Sequence, residues 1–591
     1  MERLSSSKSF LGIQNFIIAG IIRNSLYQFC LFMVILVILS VGMIYWYFPD
    51  TGIVTSGGSD LQFHANRFYA IVQAIDYNTF PFYINTEALN HYGYAANLFY
   101  PDLMLIPFAL LAPSIGFATA YKLMIFVYTL LCGIFSFGSL SRITKDNLIA
   151  CLFSLLYTFA LYRIIDISYR GALGEFISFT FVPLIFWGLY EILYGDFKQR
   201  WYIISIGFIC LIYTHLLSAL LIFITVCIGL VICYKSIKEN PYRLLYLVLA
   251  GAVSAIVSSA FLLPMFEQLN DNSFYFQTHP LAEAIGPQSV ELKRVLWGVF
   301  NGLTDNRLRI ETIGIILIIP LFFRLAITGN HRYLRVADSC TFVSFILIFA
   351  LSDIFPWYIF PFNKLAILQF PFRLLQPASF LLAFSGAVYL SIISRQTNRR
   401  IIIVACLIVI IGYSIRLTGG VYQGYIKYTV DNTVTHNLDQ LEIVGAEYLS
   451  SKVPSVPTED IRYRIDYVVN RKDSVKAERN TIIKNISREK DKLRLETEQS
   501  EPDNLVLPLL YYKGYRAVFD NSKELTVSQS EDGLIEIESP ASSQIIVWYD
   551  GTLAQRVGLS VSLVSLLALL LYIVYIERQS NKLKNNKKIK R

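Results

Sequence analysis

Long apolar runs recur along the chain, and they decide what it can fold into. The first strong one, Leu26 to Phe48, carries no charged residue. A helical span of a bilayer needs about 20 apolar residues, within a range of about 17 to 25. Further runs of this kind lie at about 120–141, 148–165, 176–194, 244–266, 311–327, 339–355, 374–394, 401–416 and 556–576. Composition agrees: the 591 residues are 54% apolar and 16% charged, against about 25% charged for a soluble chain. A string of soluble domains, a disordered chain and a disulfide scaffold are excluded. The eight cysteines all lie in apolar runs, none in a CxxC pair, so they read as small buried hydrophobes.

Lysine and arginine mark cytoplasmic flanks. Lys8 and Arg23 put the N-terminus inside, and Leu26 to Phe48 reads as a signal anchor without a cleavage site. Residues 49–118 then form a long aromatic outer loop, and the stretch from Arg163 to Glu175 also falls outside. Residues 202–234 are apolar between Arg200 and Lys235, two flanks that both look cytoplasmic. A hairpin of two short helices turning near Thr214 and His215 satisfies both. The prediction is an α-helical polytopic membrane protein of about twelve spans, thirteen if 101–116 also crosses, with both termini cytoplasmic. The polar segment 417–555 alternates apolar and polar residues at Ile461 to Tyr467, Leu493 to Glu496 and Ile535 to Glu538, followed by the apolar run Ile545 to Tyr549. That pattern predicts strands. The expected organisation is a membrane core over 1–416, an outer β-rich domain over 417–555, and a last span with a basic cytoplasmic tail over 556–591. The net charge of +8 gathers partly in that tail, which points to anionic lipid and not to nucleic acid.

Polar chemistry concentrates on the predicted outer face. Asp60, His64 and Arg67 fall at i, i+4 and i+7 and would share one helix face. A carboxylate and an imidazole so spaced can bind one divalent metal, magnesium or manganese, or act as base and partner, and Arg67 would suit a phosphate. The competing reading is a helix cap at Ser59 or Asp60 with a solvated charge behind it. In the second stretch Arg163, Asp166, Arg170 and Glu175 crowd between two spans. Ionisable groups at membrane depth are costly and usually face a protein interior or a wet cavity; internal ion pairing is the alternative. His215 at the hairpin apex reads as a structural group or as a binding residue. Arg373, after the Pro and Phe residues of a re-entrant stretch, would hold a lipid phosphate or snorkel to a headgroup. The aromatic cluster from Tyr92 to Tyr100 is an interfacial belt or a stacking platform for a sugar. No Walker loop, Rossmann fingerprint, HExxH or GxSxG is present, so an ATP-driven pump is not expected.

The set of motifs resembles a family. Asp60-x-x-Phe-His-x-x-Arg67, Tyr169 to Glu175, Gln369 to Arg373 and Leu507 to Tyr515 occur in the order seen in YfhO-like bacterial membrane proteins and cover most of the chain. That family looks like part of the C-type glycosyltransferase superfamily. The resemblance implies sugar transfer from a polyprenyl-phosphate carrier to a cell-envelope polymer, such as a teichoic acid, on the outer face of a bacterial plasma membrane. It implies Asp60 as base or metal partner, Asp166 or Glu175 as second acid, and Arg373 on the carrier phosphate. The chain departs from the superfamily pattern in carrying the single Asp60 in place of a paired acidic motif. The expected chemistry is an inverting transfer, with Arg67, Arg170, Glu175, His215 and Arg373 binding donor phosphate or acceptor. Asp60, His64 and Asp166 form the candidate metal set. The rival is a flippase or exporter of lipid-linked sugars, which would show two corresponding halves with interrupted helices. A non-catalytic scaffold for envelope assembly would need no outer acids.

Overall fold

The computed structural model describes residues 25–47, 53–55, 59–278, 289–301, 312–423, 428–430, 442–444, 447–454, 456–457, 462–464, 474–479, 481–520, 523–540 and 543–589. The chain is mostly helical, with a β-rich C-terminal region before the last helix. Among the described residues five helices are long and apolar enough to cross a membrane: Phe117–Thr144, Asn147–Ser168, Leu173–Tyr194, Pro371–Gln396 and Leu553–Gln579. Tyr242–Val257 and Ser259–Asp271 add a sixth if counted as one span bent by 74°.

The expected twelve spans are therefore not reached among the described residues, and the reason is local. Several apolar runs are long enough in sequence but broken as helices. The run at 202–234 divides, as the hairpin reading expects, at Tyr213–His215 into Tyr202–Ile212 and Leu216–Ile232, and the His215 side chain caps the second helix by accepting from Ser218 N. The run at 244–266 breaks at Ser258. Pro320 lies inside Ile315–Phe322, and the following turn tightens to a 3-10 helix. Residues 101–116 do not form a spanning helix. They make two single turns, Ile106–Ala109 and Ala112–Ile115, each with Pro at its start. Proline is tolerated there because the first N–H groups of a helix have no partner in any case. Lys8 and Arg23, which carried the inward placement of the N-terminus, lie outside the described residues.

The helical layer closes tightly where the sequence asks for it. After Phe117–Thr144, Lys145 takes a left-handed conformation and Asp146 caps the next helix by accepting from Leu148 N and Ile149 N. Arg395, at the far end of Leu375–Gln396, pairs with the same Asp146. The last helix packs on the bent pair at a small residue: Ser259 Oγ donates to Gly558 O at 2.9 Å, and a side chain at Gly558 would meet the Ser259 carbonyl. Close backbone approach at small residues is how apolar helices associate where burial from water gives no driving force.

The β-rich region holds two larger antiparallel sheets. One runs Lys523–Leu525, Tyr515–Phe519, Ser543–Tyr549, Lys492–Glu498, Ile482–Glu489, and the other Val527–Gln529, Leu534–Ser539, Asp503–Leu510, Lys476–Ala477. Alternate residues explain their packing. Leu493 and Leu495 of one sheet bury with Leu505, Leu507 and Ile537 of the other, while the residues between them face out. The alternating segments at 493–496 and 535–538 thus lie in strands, as does 545–549. Of Ile461 to Tyr467 only Arg462–Arg464 is described, as the middle strand of a small three-stranded sheet.

This region is fastened to the first long loop and to the bent helix pair. Ile53–Thr55 pairs with Tyr428–Val430. Leu510 N donates to Tyr92 O at 2.8 Å, and Gln268 exchanges two hydrogen bonds with the Lys513 backbone. The core beneath it joins Tyr92, Tyr94, Phe99, Phe261, Phe274, Leu507 and Tyr512. The motif Leu507 to Tyr515 is thus a docking element, and the aromatic cluster Tyr92 to Tyr100 is largely the surface it docks on.

Candidate functional site

The helix Ser59–Asp76 follows the first apolar run and lies against the end of the helical layer, where it carries Asp60 in its first turn. Its position is set from below by Gly171. That residue has φ +70°, and a Cβ there would stand 2.6 Å from Leu61 Cα, so only glycine lets the two backbones meet. Gly171 in turn ends a π-helical turn, Asp166–Arg170, and π-turns of this kind recur at functional sites. The result brings Asp60 beside Arg170, 110 residues further along the chain.

Arg170 is the hub. Its Nη1 donates to Asp166 Oδ1 at 2.9 Å and to Glu175 Oε2 at 2.7 Å, and its Nη2 reaches Asp60 Oδ2 at 3.5 Å. The guanidinium also lies over the Phe372 ring at 4.7 Å. Glu175 is further held by Tyr162, whose hydroxyl donates to Oε1 at 2.5 Å, and by Arg373 Nε at 3.9 Å. Arg373 comes from the 3-10 turn Pro371–Leu374 and is anchored by Leu368 O at 2.6 Å and Gln369 Oε1 at 2.8 Å. Its buried Nε has no hydrogen-bond partner among the described residues. Accessibility separates the acids: the side chains of Asp166 and Glu175 are 0% and 2% exposed, whereas that of Asp60 is 37% exposed.

Arg67 and His64 form a second, adjoining cluster. Arg67 lies over the Tyr100 ring at 4.0 Å, donates to Pro101 O at 2.9 Å, and pairs with Asp102, which Asn97 also contacts. Its Nη1 donates to His64 Nδ1 at 3.0 Å, which fixes that ring as neutral with its proton on Nε2. Burial first, and then the positive field of Arg67, hold the His64 imidazole well below its usual pKa. His215 faces Tyr100 with ring centroids 5.8 Å apart. It heads a polar chain through Ser218, Ser178 and Gln376, and burial pushes its pKa down to about 3.

The structure thus joins Asp60, Asp166, Arg170, Glu175 and Arg373 in one network, with His64, Arg67 and His215 beside it through Tyr100. The shared helix face of Asp60, His64 and Arg67 is present, yet these residues turn to different partners. Asp60 and Asp166 both meet Arg170, and His64 meets Arg67. Among the described residues no three His, Cys, Asp or Glu groups converge as metal ligands. These contacts do not fit a divalent ion held by Asp60, His64 and Asp166. Two acids of the site escaped the sequence reading. Asp102 was visible as a lone acid within an apolar stretch, a position where ionisable groups have partners. Glu447 carried no such signal. It stands in a short turn just after the strand Glu442–Val444.

No known family profile matches the chain. A relative from Lactococcus lactis subsp. cremoris (strain MG1363), described only as an uncharacterized protein, is 24% identical over 373 residues, which is 60% of this chain and 57% of its own length. The chain thus spans less than two thirds of that relative. Among solved structures, the arabinofuranosyltransferase AftD from Mycobacteria overlays with a TM-score of 0.40 at 12% identity, covering 66% of this chain and 26% of that one. The Archaeoglobus fulgidus oligosaccharyltransferase overlays with a TM-score of 0.36 at 11% identity, covering 66% and 53%. Overlays this partial leave the functional reading to rest on the site itself.

Proposed function

We propose that this protein is a membrane glycosyltransferase that moves a sugar from a polyprenyl-phosphate carrier to a cell-envelope polymer on the outer face of a bacterial plasma membrane. The observation that supports it most directly is the split in the arginine–carboxylate network. Two acids are buried against Arg170, while Asp60 stays partly exposed and the buried Nε of Arg373 has no hydrogen-bond partner among the described residues. A purely structural ion cluster has little use for a partly exposed carboxylate in the same network as a guanidinium with one N–H left over. A transfer site needs both.

The chemistry follows from that pairing. An acceptor hydroxyl oxygen attacks the anomeric carbon and forms the new C–O bond. The bond from that carbon to the phosphate oxygen breaks, and the electron pair leaves on the lipid phosphate. Arg373 and Arg170 stabilise this growing negative charge, a kind of interaction worth about 10²–10³-fold in rate per donor. A carboxylate at the mouth takes the hydroxyl proton, worth typically about 10²–10⁴-fold. The lipid would lie against the apolar helices and the polymer would approach past the β-rich region. Attack opposite the leaving phosphate inverts the anomeric centre.

The test is transfer from radiolabelled polyprenyl-phosphate sugars in membranes carrying wild-type protein or Asp60→Asn. Transfer to an envelope polymer by the wild type, reduced at least about 10²-fold in the variant, is the expected result. Equal transfer by both removes Asp60 from the site. Movement of labelled lipid across the bilayer without transfer refutes the enzyme reading in favour of a flippase.

A further inference from the structure

A second carboxylate, contributed by the β-rich region, lies near Asp60. Glu447 is partly exposed in a turn of the β-rich region, and that turn is pinned over the helix that carries Asp60. Phe276 N donates to Glu447 O at 3.3 Å, Tyr275 N to Leu449 O at 2.9 Å, and Ser451 N to Ser273 O at 2.8 Å. The adjoining Tyr448 stacks flat on Phe99 with centroids 5.1 Å apart and touches Phe63, one turn beyond Asp60. Tyr512 Oη donates to Tyr448 O at 3.0 Å, and Tyr448 N donates to Tyr94 Oη at 3.3 Å. A surface turn held by this many contacts from three separate segments has a fixed position, and its acid lies within electrostatic reach of Asp60 and Arg373.

The charged and titratable groups around Glu447 are Asp60 from the helix Ser59–Asp76, Arg373 from the turn Pro371–Leu374, and the hydroxyls of Tyr94 and Tyr448. Asp60 has its guanidinium partner in Arg170 at 3.5 Å; Glu447 is set against the like charge of Asp60. A carboxylate opposed by a second carboxylate is a stronger base than one standing alone.

We propose that Glu447 is a catalytic residue of this site, the general base that takes the acceptor hydroxyl proton, and that Asp60 tunes and orients it. The proposal rests on the transferase reading above. The step balances: the hydroxyl proton passes to the Glu447 carboxylate, the hydroxyl oxygen bonds to the anomeric carbon, and the carrier phosphate leaves with the electron pair of the broken bond. Burial, and then the charge of Asp60, push the Glu447 carboxyl up to about 7 against the pull of Arg373, which suits a base working near neutral pH. The site is complete only when the β-rich region is docked, so the proton acceptor comes from one part of the chain and the phosphate-binding arginines from another.

The experiment is the pH profile of transfer for wild type, Glu447→Gln, Glu447→Asp and Asp60→Asn in the full-length protein. In the wild type, kcat/KM should rise with pH through about 7. In Glu447→Gln it should fall about 10²–10⁴-fold and that limb should vanish. Glu447→Asp should restore part of the rate together with the limb. Residual activity of Asp60→Asn should rise at lower pH, because the like charge is gone. Glu447→Gln within about threefold of wild type, or slowed with the limb unmoved, would overturn the proposal. The transferase reading fails differently, by a wild type that transfers nothing from any polyprenyl-phosphate sugar. Isotope-edited infrared spectra then read the pair alone: a carboxyl band that titrates near neutral pH, disappears in Glu447→Gln and shifts in Asp60→Asn confirms the coupling. No such band refutes it.

Discussion

Arg170→Met tests the centre of the network. The substitution keeps most of the side-chain volume and removes one guanidinium that meets three carboxylates. Their losses differ. Asp60 is 37% exposed at 3.5 Å, so its contact is worth at most about 1 kcal/mol. Glu175 keeps the Tyr162 hydroxyl at 2.5 Å and Arg373 at 3.9 Å. Asp166 keeps nothing comparable: it is fully buried, Arg170 is its ion-pair partner, and its Oδ2 already has no hydrogen-bond partner among the described residues. Removing one partner of a buried pair costs about 3–5 kcal/mol because an uncompensated charge stays behind. The expected loss is therefore that of a single buried pair, about 3–5 kcal/mol, and not twice that figure. Unfolding in detergent micelles, followed by tryptophan fluorescence, measures it. Arg516→Met, which breaks surface contacts of a half-exposed arginine, is the control and should change stability by less than about 1 kcal/mol. Adding Asp166→Asn to Arg170→Met should recover much of the loss in stability without recovering transfer. If Arg170→Met unfolds within about 1 kcal/mol of wild type, the network is wet and the argument from burial fails.

Two further outcomes follow from the same geometry. Gly171→Ala forces a left-handed conformation, worth about 1–2 kcal/mol, and drives a methyl group toward Leu61 N at 2.7 Å. Because that contact is helix backbone next to Asp60, transfer should fall well beyond the change in unfolding midpoint; full activity would refute the positioning role of Gly171. His64 and His215 stay neutral in the fold, with His215 held down to about 3, whereas an unfolded histidine protonates near 6.5. The unfolded chain then binds more protons in this range, so stability falls as pH drops below 6.5. Wild type should lose about 1.4 kcal/mol per pH unit more than His215→Asn between pH 6 and 4, and parallel curves would show that His215 titrates normally.

What the sequence made legible was local, and what it hid was brought together by contacts distant in the chain. Period-two alternation placed the strands at 493–496 and 535–538 correctly because a strand's faces repeat within a few residues. The helical spacing of Asp60, His64 and Arg67 was likewise real, and Arg67 does bond His64. Spacing alone could not say that a shared face would be divided between an arginine at 170 and an aspartate at 102. Apolar content left the number of spans open for a related reason. It measures whether a segment tolerates lipid and says little of whether one helix continues through Ser258 or Pro320. Those interruptions are not scattered. The breaks at Tyr213–His215 and Ser258 deliver His215 to Tyr100 and the bent helix to the β-rich region. Straight helices through both points would leave the polar mouth without its His215 wall and Glu447 without Ser273 and Phe276 to hold its turn. The break at Tyr213–His215, which the hairpin reading expects, and the break at Ser258, which apolar content does not signal, are thus both among the places that build the candidate site.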